Sequence, residues 1–160
     1  MAKSILLFLT IIAVAQSIYF YPLLPEITAS HFDSAGNPNG WMKRDTLIMF
    51  YLGMMAILVA IFLFIPRFPN QMRNLPNRDY WLAEERKTET NKYINSSTLR
   101  VGIATFVLLI YVMQLVFEAN LNKEPVLSGY IIWALILYFI FIAVWLFKFY
   151  RRFRMPDQSL

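Results

Sequence analysis

Four long runs of apolar residues dominate this sequence, at roughly 4–21, 46–65, 98–117 and 127–149. Each reaches ~18 residues or more, enough to cross a hydrocarbon core of about 30 Å as a helix. Apolar residues make up 58% of the chain, above the roughly 45–50% of a soluble domain. Little of the 160 residues is left over for a separate soluble unit. The expected fold is all-α integral membrane, with four transmembrane helices in a single membrane domain over 1–160. An outer loop at 22–45 and a cytosolic loop at 66–97 join the helices. The lipid bilayer is the first expected partner.

The first run has a competing reading. Lys3 precedes Ile5–Ala15, and Ala13-Val14-Ala15 fits a signal-peptide cleavage site. Against it, the apolar character continues through Ile18-Tyr19-Phe20-Tyr21, a length that spans. Tyrosines at that position also suit a membrane–water interface.

The net charge of +5 does not point to nucleic acid, because the cations sit beside the apolar runs. There they would meet anionic lipid headgroups. One side carries Lys3, then Arg67, Arg73, Arg78, Arg86, Lys87, Lys92 and Arg100, then Lys148, Arg151, Arg152 and Arg154. The other carries Lys43, Arg44 and Lys123. Lys and Arg near helix ends favour the cytosol, which places both termini and the middle loop there. Trp133 and Trp145 lie towards opposite ends of the last helix, as interfacial anchors do. The chain has no cysteine, which excludes disulfides, thiolate metal sites and cysteine nucleophiles.

Between the first two helices, Pro22 and Pro25 stop the helix. Ile27–Phe32 reads as a short extended stretch, and Asp33-Ser34-Ala35-Gly36 as a turn with Gly36 free to take positive φ. A hairpin-like loop is expected, with Phe32 and Trp41 facing the membrane. Pro66 limits the second helix, and Arg67–Asn77 should be irregular. Tyr80–Asn95 lacks Gly and Pro and should form a cytosolic juxtamembrane helix that enters the third span. Tyr80, Trp81 and Leu82 are expected at the interface.

The loop carries Tyr21-Pro22-x-Leu24-Pro25, then His31-Phe32, then Gly36-x-Pro38-x-Gly40-Trp41 and the basic pair Lys43 and Arg44. This pattern resembles a bacterial membrane domain of unknown function. That domain also forms the N-terminal part of the immunity protein against the Sdp killing peptide of Gram-positive bacteria. Asn74-x-Pro76-Asn77-x-x-Tyr80-Trp81-Leu82 is similar to a motif that follows the second helix in the family. The chain departs from the pattern at Ala29, where the family often has Pro, and at Met42, where it often has Gly. The resemblance implies a multi-pass protein of the bacterial plasma membrane.

His31, the one histidine, could act with Glu26 and Asp33 on a metal or as a titrating site. Zinc sites use three or four protein ligands, so the alternative is that His31 hydrogen-bonds the turn, and no metal is expected. No cofactor is expected either, for the chain shows no phosphate loop, no nucleophile–base pair and no paired catalytic carboxylates. Gln16, Gln114 and Glu118 interrupt the apolar runs, and Gln114 and Glu118, four apart, share a helix face. Gly53, Ala56 and Ala60 form a small-residue stripe suited to helix packing. The leading expectation is a non-enzymatic protein whose outer loop recognises a peptide or another membrane protein through His31, Phe32, Trp41, Lys43 and Arg44. Antimicrobial-peptide immunity or sensing is one form of that. A transporter or channel subunit, oligomerised around the third helix through Gln114 and Glu118, is the second reading. A membrane enzyme using His31 is the third.

Overall fold

The computed structural model describes residues 2–64 and 74–155. In chain order it contains α1 (Ala2–Phe20), strands β1 (Ile27–Phe32) and β2 (Pro38–Lys43), α2 (Arg44–Phe64), a short α3 (Arg78–Trp81), α4 (Lys87–Asn120) and α5 (Tyr130–Arg152). Helices α1, α2, α4 and α5 are long and apolar enough to span a membrane. The hairpin-like loop is an antiparallel hairpin. Pro66 and residues 67–73, expected to end the second helix and to be irregular, lie outside the described residues.

Helices α1, α2 and α4 form a three-helix bundle around Leu6, Ala13, Tyr51, Met55, Phe106 and Phe117. On α1 the buried positions Leu6, Ala13, Ser17 and Phe20 recur at helical spacing and make one stripe. Near the hairpin, Phe20 and Tyr51 close on Phe117, with ring centroids 5.0 and 6.3 Å away. The stripe of Gly53, Ala56 and Ala60 does not enter this bundle. The larger Leu47, Ile48, Tyr51 and Met55 fill the inner face of α2, and the small residues lie exposed on its far side.

Helix α5 has no buried residue and lies against α4 from outside the bundle. Polar contacts fix that seam, one of them Arg152 Nη2 donating to Glu89 Oε1 at 3.0 Å. The Trp145 indole N–H donates to Ser97 Oγ at 2.8 Å, and the Thr105 and Tyr138 hydroxyls stand 2.9 Å apart.

The juxtamembrane helix differs from expectation. It breaks after Trp81 and resumes at Lys87, then continues without interruption for 34 residues to Asn120. Side chains satisfy the carbonyls that the break leaves free. Arg86 Nε donates to Tyr80 O at 2.8 Å, and Thr90 Oγ1 donates to Trp81 O at 2.8 Å. The Arg86 guanidinium also lies 4.0 Å over the Tyr80 ring.

Beyond the bundle, at the end away from the hairpin, a second cluster joins Leu75, Trp81, Ile94 and Phe153. Trp81 is buried in it, 8% exposed, where an interfacial position was expected. Asn77, in the left-handed region at φ 52°, turns the chain into α3. Its side-chain amide and the Trp81 indole both donate to the carbonyl of Phe153, at 2.8 and 3.1 Å. That carbonyl lies just past α5, where helices leave acceptors unfilled.

Candidate functional site

The hairpin end is held by side chains from distant parts of the chain. After Phe20 the backbone makes one more turn, with Leu23 and Leu24 N–H bonded to Phe20 O, and buries Leu24. Arg44 then ties this turn to the start of α2. Its Nη1 donates to Leu24 O at 2.8 Å, its backbone N–H to Glu26 O at 2.9 Å, and its guanidinium lies 4.4 Å over the Tyr21 ring. Arg44 Nε is 3.8 Å from Asp45 Oδ1, an ion-pair distance too long for a hydrogen bond. The Tyr21 hydroxyl donates to the same oxygen at 2.8 Å.

Asn120, the last residue of α4, is the main brace. Its Oδ1 accepts from Ala29 N–H at 2.7 Å, and its Nδ2 donates to Ala29 O at 2.9 Å. The amide pairs with the strand as a third strand would, and it is 4% exposed. At the tip, Gly36 has φ 86°, and its carbonyl accepts from Leu127 N–H at 2.9 Å. A Cβ there would stand 2.6 Å from Leu127 O, so the contact with the α4–α5 connection needs glycine.

Asp33 organises the turn. Its carboxylate accepts from Asn37 N–H at 2.8 Å and Ala35 N–H at 2.9 Å. The Asn37 backbone hydrogen bond is the largest of the effects that hold its pKa below the ordinary carboxylate value. Asp33 is thereby committed to the loop. Among the described residues, no group of three His, Asp or Glu side chains gathers that could hold a metal.

The expected recognition residues separate. His31 is exposed, with Nδ1 3.0 Å from Ser30 Oγ and its side chain against Gly40, where a Cβ would meet it at 3.0 Å. Phe32 packs inward against the bundle core with Met42 and Leu127, rather than facing the membrane. The shift at His31 is offset by Phe32, which pairs with Pro38 in the register that Ile27–Ala29 set, so Phe32 shares the inward face of buried Thr28, four residues back on the strand. Arg44 lies beneath the hairpin in the contacts just described. Trp41 and Lys43 project from one face, since they are two apart on β2. Ile27 pairs with Lys43 and shares that face.

A groove of about 470 Å³ opens on this face, lined by Leu23, Pro25, Ile27, Trp41, Leu121 and Lys123 among others. Trp41 is 53% exposed and Ile27 50% exposed. The contribution of Leu121 and Lys123 had no local signal in the sequence, because they come from the α4–α5 connection.

A second polar feature crosses the bundle below the hairpin. The Tyr51 hydroxyl donates to Gln16 Oε1 at 3.0 Å, Gln16 Nε2 donates to Gln114 Oε1 at 2.8 Å, and Gln114 Nε2 donates to Glu118 Oε1 at 2.7 Å. Gln16 also donates to Ile110 O at 3.1 Å. From Tyr51 through Gln16 and Gln114 the side-chain bonds run in one direction, ending on the exposed Glu118. Tyr51 is the member that sequence reading missed, since a tyrosine in an apolar run reads as core.

Four spanning helices, with polar groups bonded across them and a hairpin capping one end, define a multi-pass membrane protein. Residues 6–55 match a domain of unknown function (DUF1648). That segment is α1, the hairpin and the first half of α2, so α4 and α5 lie beyond it. Neither a curated protein nor a solved structure matches the chain. The Asn120 brace also gives Ala29 a role that Pro could not take at that position, since Pro has no N–H to offer Asn120 Oδ1.

Proposed function

We propose that the chain is a non-enzymatic protein of a bacterial plasma membrane that recognises an extended apolar segment, from a peptide or a partner membrane protein, in the groove beside Trp41. The observation that carries this reading is the pairing of a braced scaffold with exposed apolar side chains. Asn120, Arg44 and the Gly36–Leu127 contact fix the hairpin, while Trp41, Ile27 and Leu23 stay open. Preorganised aromatic anchors of this kind suit recognition, because little ordering entropy is lost on binding. Lys123 in the lining, and Lys43 as the cross-strand partner of Ile27, favour a segment carrying a carboxylate. The orientation with both termini in the cytosol follows from the cations near α3, the start of α4 and the end of α5, against three at the hairpin end: Lys43, Arg44 and Lys123. This presents the groove outside the cell.

The resemblance of the loop to the immunity protein makes tolerance of an antimicrobial peptide the form to test first. Trp41→Ala combined with Lys123→Gln should lower the survival that the chain confers on a sensitive host, with membrane levels unchanged. Unchanged survival removes the immunity version. Loss of crosslinking between Trp41-adjacent positions and any membrane partner would then separate partner docking from peptide recognition.

The hydrogen-bonded chain from Tyr51 to Glu118 favours a second reading, a transporter or channel subunit assembled from copies around α4. Its limit is depth. Gln16 lies four residues from the end of α1, so the chain reaches only the hairpin-side part of the bundle. Glu118→Gln should abolish ion flux into liposomes if this reading holds.

A further inference from the structure

The seam between α4 and α5 holds a feature unconnected with the hairpin. Towards the end away from the hairpin, a cavity of about 340 Å³ is lined by Tyr93, Ser97, Arg100, Trp145 and Lys148, with Phe141 at its inner side. A second cavity of about 350 Å³ continues along the seam between Ala104, Leu108, Ala134 and Leu137, and Phe141 lines it too. Arg100, Ala104, Leu108 and Tyr111 follow one face of α4 at helical spacing, and Ala134, Phe141, Val144 and Lys148 follow one face of α5. The two cavities follow one another along the seam with Phe141 lining both, and together they make a groove that is charged at one end and apolar along the rest.

The charges are unbalanced. Three cations at this end have acidic neighbours: Arg152 lies 3.0 Å from Glu89, Arg86 4.0 Å from Glu85, and Lys87 pairs with Glu84. Arg100 and Lys148 have no ion pair among the described residues, and both are exposed at the mouth of the groove. Tyr93 and Trp145 stand beside them, aromatic groups of the kind that favours the headgroup level. The apolar part from Arg100 to Tyr111 is about 16 Å long, at about 1.5 Å per residue. That is close to half of a hydrocarbon core of about 30 Å, the reach of one leaflet. Ala104 and Ala134 leave the space that larger residues would fill.

We propose that a glycerophospholipid with an anionic headgroup occupies this groove. Its phosphate lies between Arg100 and Lys148, and one acyl chain runs along Phe141 towards Ala134. Charge complementarity at one end and matched apolar length along the rest select this occupant over a zwitterionic lipid, which would leave both cations without net compensation. The bound lipid fills the space between α5, which has no buried residue of its own, and the bundle.

The test uses the full chain in detergent, equilibrated with equal phosphatidylglycerol and phosphatidylcholine and read by native mass spectrometry. The wild-type chain should retain phosphatidylglycerol in preference. Arg100→Gln with Lys148→Gln should lower the ratio of the two retained lipids roughly thirty-fold, and either change alone about five-fold. Ala134→Phe, which closes the groove and leaves the charges, should reduce phosphatidylglycerol retention, while Arg151→Gln, outside the seam, should not. The proposal fails if the wild-type ratio is near one, which needs no variant to fold. It fails equally if Arg151→Gln lowers the ratio as much as the double change, or if free glycerol phosphate displaces the lipid at equal concentration.

Discussion

The two ends of the molecule are held by different physics. At the hairpin end, polar groups stitch the chain, with the Asn120 amide on Ala29, Arg44 on Leu24, and Gly36 on Leu127. At the opposite end, aromatic rings do most of the packing. Phe153 sits 4.8 Å from Phe149, 5.6 Å from Tyr93 and 5.7 Å from Trp81. The difference follows from what each segment leaves unsatisfied. A two-stranded hairpin laid on a bundle buries backbone groups that a third strand would otherwise pair, and a buried unpaired amide is costly. Helices satisfy their own backbone except at their ends. There the carbonyls of Tyr80, Trp81 and Phe153 take side-chain donors, and the rest of the junction is free to be apolar.

The largest expected effect lies at the aromatic end. Phe153→Ala removes a ring that is 1% exposed and should destabilise the chain by about 3 kcal/mol. Unfolding in detergent measures the loss. Amide exchange should rise around α3 and the end of α5 while the hairpin stays protected; equal loss at both ends would mean that they unfold as one unit.

Asn120→Leu should give the reverse pattern at a cost of about 2 kcal/mol, from Ala29 N–H and C=O left buried without partners. Exchange at β1 should rise first. Asn120→Asp keeps an acceptor for Ala29 N–H and should cost less in exchange protection at that amide, which separates the two bonds.

Gly36→Ala places a Cβ in the left-handed region against Leu127 O and should cost about 1–2 kcal/mol. The effect should be local, read as faster exchange at Leu127 N–H with the aromatic end unchanged.

The smallest effect concerns pH. The Asp33 pKa is lowered from 3.8 by its hydrogen bonds to the turn. Its support for the folded turn is complete above about that value and is lost as pH falls through the lower folded pKa. Exchange at the Asn37 amide should therefore lose protection below about pH 4, beyond the intrinsic pH trend, and Asp33→Asn should flatten that dependence.

Asn120 and Trp81 show how far sequence reading reached. The turn at Asp33–Gly36 was legible because its chemistry is local, with a carboxylate and a glycine within four residues. Trp81 was expected at the interface and lies buried, because the covering ring comes from Phe153 and the acceptor for its indole from the same residue. Asn120 escaped notice altogether, since an asparagine at a helix end reads as a terminator, and its partner Ala29 is 91 positions away in sequence. The groove beside Trp41 was visible in part, through Trp41 itself, while Leu121 and Lys123 were not.

Spans, turn and hairpin were legible from local residues, because apolar length, proline stops and glycine turns act over a few neighbours. Which polar groups meet across the fold came from the packing alone: Gln16 with Gln114 and Tyr51, Asn120 with Ala29, Arg44 with Leu24. Such pairings depend on the rotation and depth of packed helices, and no local pattern of residues carries that information.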